Sequence, residues 1–151
     1  MEKPTLISNS YDTHSEVFSL ANITAFLMWI PMIVLPKWKV TRFLIDFKVI
    51  PIFLAILYAF YIVQSILNGP AMDFGSLKAV MHLFTIEEAV LAGWLHYLVF
   101  DMLVGMWMLD KNKTLKIHQA IMAPCLLGTF MMGPVGFLLF MGVRKFAKKN
   151  N

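Results

Sequence analysis

Four apolar runs, separated by polar segments, organise the chain of 151 residues. They predict helices near residues 17–35, 49–67, 87–109 and 117–143. Each run approaches or exceeds the ~20 residues that an α-helix needs to cross the hydrocarbon core of a bilayer. Because lipid offers the backbone no hydrogen-bond partners, segments of this kind cross membranes as helices. The pattern therefore predicts an all-α integral membrane protein, built as an antiparallel four-helix transmembrane bundle.

Polar segments frame and divide the predicted bundle. We expect a polar N-terminal tail over residues 1–16, a single transmembrane domain over residues 17–146 and a basic C-terminal tail over residues 147–151. The N-terminal tail has no basic stretch leading into a short apolar core, so a cleaved signal peptide is not expected. Residues 71–85 are expected to form a loop, with Thr85 capping the third helix.

The fourth apolar run contains a Gly133–Pro134 step that allows two interpretations. One is a single kinked or tilted span over residues 117–143, which we expect because two half-segments would be short for a bilayer. The other is a re-entrant hairpin that turns at Gly133–Pro134. With four spans the two membrane sides carry six and seven Lys and Arg residues, and with the hairpin they carry eleven and two. The positive-inside rule cannot orient a protein with a split of six to seven.

Composition narrows the class of protein. Hydrophobic residues make up 59% of the chain and charged residues 15%, against roughly 45–50% and about 25% in soluble domains. This share of apolar residues argues against a soluble enzyme, a nucleic-acid-binding module or a disordered linker. Cys125 is the only cysteine, which excludes an intrachain disulfide and a cysteine-based zinc or haem site. We predict no metal and no cofactor.

The formal net charge of +4 comes from basic residues gathered at the ends of the apolar runs. They form groups within residues 37–48, 111–116 and 144–149. Anionic lipid headgroups are the expected partners of such groups. Nucleic acid is not expected, because no base-reading motif accompanies them. We therefore predict a multi-pass protein whose partners are membrane lipids, in the cytoplasmic membrane if the cell is bacterial, and homo-oligomerisation is left open.

His96 and Asp101 are ionisable residues deep inside the third predicted span, whereas Glu87 and Glu88 lie at its start. An ionised aspartate within a span costs roughly 2.5–3.5 kcal/mol or more, so such residues usually pair, face a polar cavity or serve a function. Both side chains are expected to point into the bundle. Their candidate partners are the polar residues of the other spans: Asn22, Thr24, Gln64, Ser65 and Thr129.

Further candidate residues surround this pair on the third helix. Glu87, Trp94 and Asp101 are seven residues apart and share a helix face, which Gly105 continues. Small residues such as glycine allow close helix packing or leave room for a ligand. The candidate ligand-binding residues are Trp94, Tyr97, Glu87, Glu88, Gly93 and Gly105.

Two sequence motifs resemble a known family. Residues 93–101 read Gly-Trp-Leu-His-Tyr-Leu-Val-Phe-Asp and residues 133–136 read Gly-Pro-Val-Gly. Together they resemble the abscisic-acid-deficient-4-like membrane family, over about residues 17–146. Its plant members are associated with neoxanthin synthesis. The resemblance therefore implies a protein that binds, and in one reading isomerises, a carotenoid or related isoprenoid lipid.

For the plant members the implied reaction converts violaxanthin into the allenic neoxanthin. This isomerisation opens an epoxide and removes a proton from the neighbouring polyene carbon, so it needs an acid and a base but no redox cofactor. Asp101 and His96 are the catalytic candidates, although about 140° of helix rotation separates them. The alternative is a non-catalytic membrane subunit that binds a carotenoid or retinoid or stabilises a complex. Haem b bound through His82, His96 or His118 is a less favoured alternative.

Overall fold

The computed structural model describes residues 6–68 and 72–149, with side chains for residues 12–67 and 72–147. Every regular element within these ranges is an α-helix, so the all-α prediction is confirmed. In chain order the helices are α1 (Leu6–Val34), α2 (Lys39–Asp46), α3 (Val49–Asn68), α4 (Leu77–Leu83), α5 (Glu87–Leu115), α6 (Gln119–Met132) and α7 (Pro134–Lys149).

Within the described residues, three segments are long and apolar enough to cross a membrane: Asp12–Val34, Lys39–Leu67 and Glu87–Leu115. Many of their large apolar side chains are exposed on the chain, including Ile56, at 64% of its full accessibility. Such surface is costly in water and stable in contact with lipid tails, because hydrophobic burial scales with apolar area. These segments indicate that the chain is a membrane protein. The predicted four-helix antiparallel bundle is not confirmed.

The fourth apolar run does not form the expected single span. It is divided into α6 and α7, of 14 and 16 residues, which at ~1.5 Å per residue are shorter than a bilayer core of ~30 Å. Gly133 separates them with a φ of +42°, a positive value that residues with a side chain rarely adopt and that glycine tolerates best. Pro134 then begins α7, where its missing N–H costs least.

Helix α7 turns back alongside α6 and packs against α5. Gly128 and Gly136 bring the α6 and α7 backbones into contact, since a Cβ atom on Gly128 would lie 3.1 Å from the Gly136 Cα. Phe140 packs edge-on against Trp107 of α5, at 5.7 Å between ring centroids. The Arg144 guanidinium lies 5.9 Å from the same ring. The kinked span over residues 117–143 is therefore corrected to a helical hairpin, which we call the C-terminal hairpin.

Local boundaries differ from the sequence-based expectations at three further places. Helix α1 begins at Leu6, inside the segment expected to be a polar tail. Helix α4 occupies part of the expected loop over residues 71–85. The Thr85 hydroxyl donates to the His82 carbonyl at 2.7 Å rather than capping α5, which begins at Glu87. Helix α3 begins at Val49, the residue at which the second apolar run begins.

The chain divides into two compact units. The first unit comprises Met1–Thr24 and Ile52–Leu98, and the second comprises Ala25–Pro51 and Val99–Asn151. Buried side chains of the first unit include Leu54, Leu91 and Leu95, and those of the second include Trp29, Met32, Met102, Met106, Leu126 and Phe140. The single domain over residues 17–146 stays a prediction.

Candidate functional site

The first unit contains a cavity of about 240 Å³, which we call the apolar cavity. Helices α3, α4 and α5 supply most of its walls, and the segment before α4 closes one side. Aliphatic and aromatic side chains dominate the lining, so the cavity suits a hydrocarbon group. Its lining residues are Tyr58, Ile62, Met72, Phe74, Val80, Leu83, Phe84, Ala89, Ala92, Gly93 and His96.

Tyr58 and His96 are the side chains with exchangeable protons among these lining residues. Their rings are 5.7 Å apart between centroids and inclined at 58°. Gly93 lies nearly one turn before His96 on α5, and a Cβ atom placed on it would have no neighbour within 4 Å. The two ionisable groups therefore border an open apolar space.

His96 is exposed rather than buried within packed helices. The expectation that its side chain points into a helical bundle is wrong in this respect, because the apolar cavity adjoins this part of α5. An imidazole beside a cavity remains accessible to a ligand, whereas one packed into a core does not. This position suits a residue that contacts a bound molecule.

Trp94 is fixed by contacts within the first unit. Its indole Nε1 donates to Asn22 Oδ1 at 2.9 Å, and Asn22 Nδ2 donates to the Phe18 carbonyl at 2.9 Å. The Trp94 ring lies 5.5 Å from the ring of Phe18 and 5.3 Å from that of Tyr97. Asn22, expected as a partner of His96 or Asp101, therefore orients Trp94.

A second cavity of the first unit, of about 480 Å³, shares Phe84 with the apolar cavity. Trp94 and Glu87 line it, together with His14 from α1. His14 Nδ1 lies 3.4 Å from Glu87 Oε2, and the Glu87 side chain is 54% exposed. Glu88 is half-buried and lines neither of these two cavities. His14 was not predicted as a site residue, because it lies in the segment expected to be a polar tail. It lines the second cavity because α1 begins earlier than expected, at Leu6.

Asp101 lies in the second unit, against the turn of the C-terminal hairpin. It is half-buried, and a Cβ atom on Gly133 would lie 2.6 Å from Asp101 Oδ1 and 3.0 Å from Oδ2. Since α7 begins at Pro134, the carboxylate is close to a helix N-terminus, where the helix dipole favours a negative charge. Asp101 can therefore stabilise the chain reversal.

Gly105 also has a packing role in the second unit. A Cβ atom on Gly105 would lie 2.6 Å from Trp29 Cη2 and 3.1 Å from Met32 Cε. The absence of a side chain thus admits the indole of α1 against α5. Of the candidate site residues, Gly93 and His96 share the apolar cavity, Glu87 and Trp94 share the second cavity, and Asp101 and Gly105 belong to the second unit.

Comparison with known proteins identifies the family. The family model described as ABA DEFICIENT 4-like matches residues 16–140. No curated protein and no solved structure matches the chain. The matched range includes the whole of α3, α5 and α6, together with the turn at Gly133. Because this match covers most of the sequence, the chain belongs to the ABA DEFICIENT 4-like family.

Proposed function

We propose that this protein binds a carotenoid or a related isoprenoid lipid and isomerises it. The observation that carries the proposal is the apolar cavity, which places His96 beside a hydrocarbon-lined space on a helix long enough to span a membrane. Its volume of about 240 Å³ is below the roughly 300–1,000 Å³ of pockets that enclose a whole drug-sized ligand. The cavity therefore suits one end group of an elongated lipid.

The rest of such a ligand requires an apolar surface outside the cavity. Ile62 lines the cavity, and Ile66, four residues later on α3, lies on the same helix face. Ile66 is 63% exposed. A polyene with its end group in the cavity can continue along this ridge, where membrane lipid tails would otherwise lie.

The proposed chemistry is redox-neutral proton transfer. When an epoxide opens, a C–O bond breaks and the oxygen gains a proton. The neighbouring polyene carbon loses a proton, and the electrons of its C–H bond form the new double bond. One acid and one base suffice for this balance, and imidazole exchanges protons near neutral pH. We propose His96, which lines the apolar cavity, for one of these roles. Asp101, the sequence-based candidate for the other role, belongs to the second unit and does not line this cavity, so its catalytic role stays a prediction.

The alternative proposal is ligand binding without turnover. It is favoured by the position of the Asp101 carboxylate against Gly133, which gives this residue a structural reason to be present. Absorption spectroscopy detects either function through a bound polyene. Chromatography of the extracted pigment then separates conversion from simple binding.

Filling the apolar cavity is expected to reduce pigment binding. Gly93→Leu adds a side chain at an open position of the lining, so we expect the affinity for a carotenoid to fall about tenfold or more, corresponding to ~1.4 kcal/mol. The visible absorbance of protein purified from carotenoid-producing cells measures this loss. Gly142→Leu is the matched control, because Gly142 is also helical and also has no neighbour within 4 Å. Equal pigment content in both variants would contradict the proposed binding site.

We further propose that this is a multi-pass protein whose basic segments face the cytoplasm. Three crossings followed by the C-terminal hairpin would leave eleven Lys and Arg residues on one side of the membrane and two on the other. The positive-inside rule assigns the side with eleven to the cytoplasm. A basic patch there would also favour the anionic lipids of the inner leaflet.

Cysteine labelling is expected to place the chain ends on opposite sides of the membrane. In a Cys125→Ser background, a membrane-impermeant maleimide applied to intact bacterial cells should label Asp12→Cys and not Ala147→Cys. Labelling of both variants after cell lysis serves as the control for reactivity. Labelling of both variants, or of neither, in intact cells would place the two chain ends on the same side and support a fourth span.

A further inference from the structure

The second unit contains a cavity of about 560 Å³, which we call the basic cavity. It lies where α1 and α5 end and α6 begins. Four of its lining side chains are cationic at neutral pH: Lys37, Arg42, Lys113 and Lys116. The sequence showed basic groups at the ends of apolar runs, and the fold gathers members of two of these groups around one space.

Two carboxylates compensate part of this charge. Arg42 Nη2 lies 2.7 Å from Asp110 Oδ1 and 2.9 Å from Asp46 Oδ1. Lys113 Nζ lies 3.0 Å and 3.5 Å from the same two oxygens. Among the described side chains, neither Lys37 nor Lys116 makes an ion pair. Four cations therefore face two carboxylates, which leaves two positive charges for a ligand.

The turn that carries Lys116 is held in an unusual conformation. Lys116 has a φ of +52°, which non-glycine residues rarely adopt without a structural or functional reason. The Asn112 side chain fixes Ile117, the residue after Lys116, through two hydrogen bonds. It accepts from Ile117 N at 2.8 Å and donates to Ile117 O at 3.0 Å. The lysine is thus presented to the cavity from a braced turn.

Neutral donors complete the lining. His118 Nδ1 accepts from Ala120 N at 3.2 Å, so a neutral imidazole carries its proton on Nε2 and remains a donor there. The Gln119 amide donates to the Ile33 carbonyl, which ties the start of α6 to the end of α1. A cavity with surplus positive charge and N–H donors suits a phosphate group.

The position of the cavity along the helices identifies the source of that phosphate. The candidate spans Asp12–Val34 and Glu87–Leu115 both end at its rim, and lipid headgroups lie at the level where spans end. We infer that the basic cavity binds the phosphate of an anionic lipid headgroup, with Lys37 and Lys116 as its charge partners. This inference does not depend on the proposed carotenoid function.

The test titrates purified, detergent-solubilised protein with short-chain phosphatidylglycerol, phosphatidylcholine or inorganic phosphate, following the rise in melting temperature. Wild-type protein is expected to bind phosphatidylglycerol more tightly than the other two. The double variant Lys37→Gln with Lys116→Gln should weaken phosphatidylglycerol binding about 30-fold, since each basic residue near an anionic surface contributes about a factor of five.

The matched control is Lys39→Gln with Lys145→Gln, which removes the same charge at positions outside the cavity lining. Because all four lysines are exposed, both double variants should melt near the wild-type temperature without lipid. Equal phosphatidylglycerol affinity in the two double variants would overturn the site. Inorganic phosphate binding as tightly as phosphatidylglycerol would overturn the assignment to a lipid headgroup.

Discussion

The variant Gly136→Ala is expected to lose about 3 kcal/mol or more of folding free energy, because its new methyl group has no space. A Cβ atom at this position would overlap the backbone nitrogen of Thr129 and its hydroxyl oxygen. Overpacking costs typically about 1–3 kcal/mol where side chains can move aside. Here the opposing atoms include backbone, so α6 and α7 would have to separate. The reversal of the chain at Gly133 depends on this close approach.

Gly142→Ala provides the control for this prediction on the same helix. A Cβ atom on Gly142 has no neighbour within 4 Å, so the change should stabilise α7 by up to about 1 kcal/mol through helix propensity. Denaturation of both purified variants in mixed micelles, followed by circular dichroism, measures the difference. If Gly136→Ala were as stable as Gly142→Ala, the C-terminal hairpin would not be closely packed at Gly128 and Gly136.

The hairpin also shows where sequence reasoning reached its limit. Run length predicts membrane-spanning helices well, because the thickness of the bilayer imposes it. A Gly–Pro step, however, is compatible with a kink and with a reversal, since both exploit the same local freedom. The choice is made by the contact between Gly128 and Gly136, a tertiary feature. Two features of the sequence favoured the reversal: the glycines on either side of Gly133, and the split of eleven to two basic residues that a hairpin gives.

The candidate site was predictable in its residues but not in its surroundings. His96 stands out because ionisable residues are rare in spans. Its neighbour Tyr58 on α3 carries no such signal, and their ring distance of 5.7 Å depends on interhelical register. Helix α4, which supplies part of the cavity wall, lies in a segment interpreted as a loop. The cavity therefore emerges only when these elements are assembled.

The ion pairs of the second unit also could not be predicted from the sequence. The positions of the basic residues were evident from the sequence, but Arg42 and Asp110 are 68 residues apart. Their ion pair, and the pairing of Lys113 with the same carboxylate, leave Lys37 and Lys116 as the cations that a ligand can use. A count of charges along the chain cannot separate compensated from uncompensated cations.

Asp101→Asn is expected to reduce isomerisation of a bound epoxy-carotenoid by about 10²–10⁴-fold, the usual loss when general acid–base help is removed. Asparagine keeps the shape and much of the hydrogen bonding of aspartate but cannot exchange a proton at the relevant pH. It should therefore still fit against the turn at Gly133. Losing the negative charge near the start of α7 should cost only about 0.3–1 kcal/mol.

The size of these two effects makes the catalytic and structural roles of Asp101 separable. Product is measured by chromatography of pigment extracted from cells that supply the epoxy-carotenoid, and stability by a thermal melt of the same preparation. Asp12→Asn is the control, because Asp12 is exposed and lines neither cavity of the first unit, so the same change of side chain there should alter neither product nor stability. Wild-type product levels in Asp101→Asn, with a slightly lowered melting temperature, would assign Asp101 to the hairpin turn alone. A large loss of product at nearly unchanged stability, with pigment still bound, would instead support proton transfer by Asp101, because the turn and the fold would then be intact while the exchangeable proton is gone.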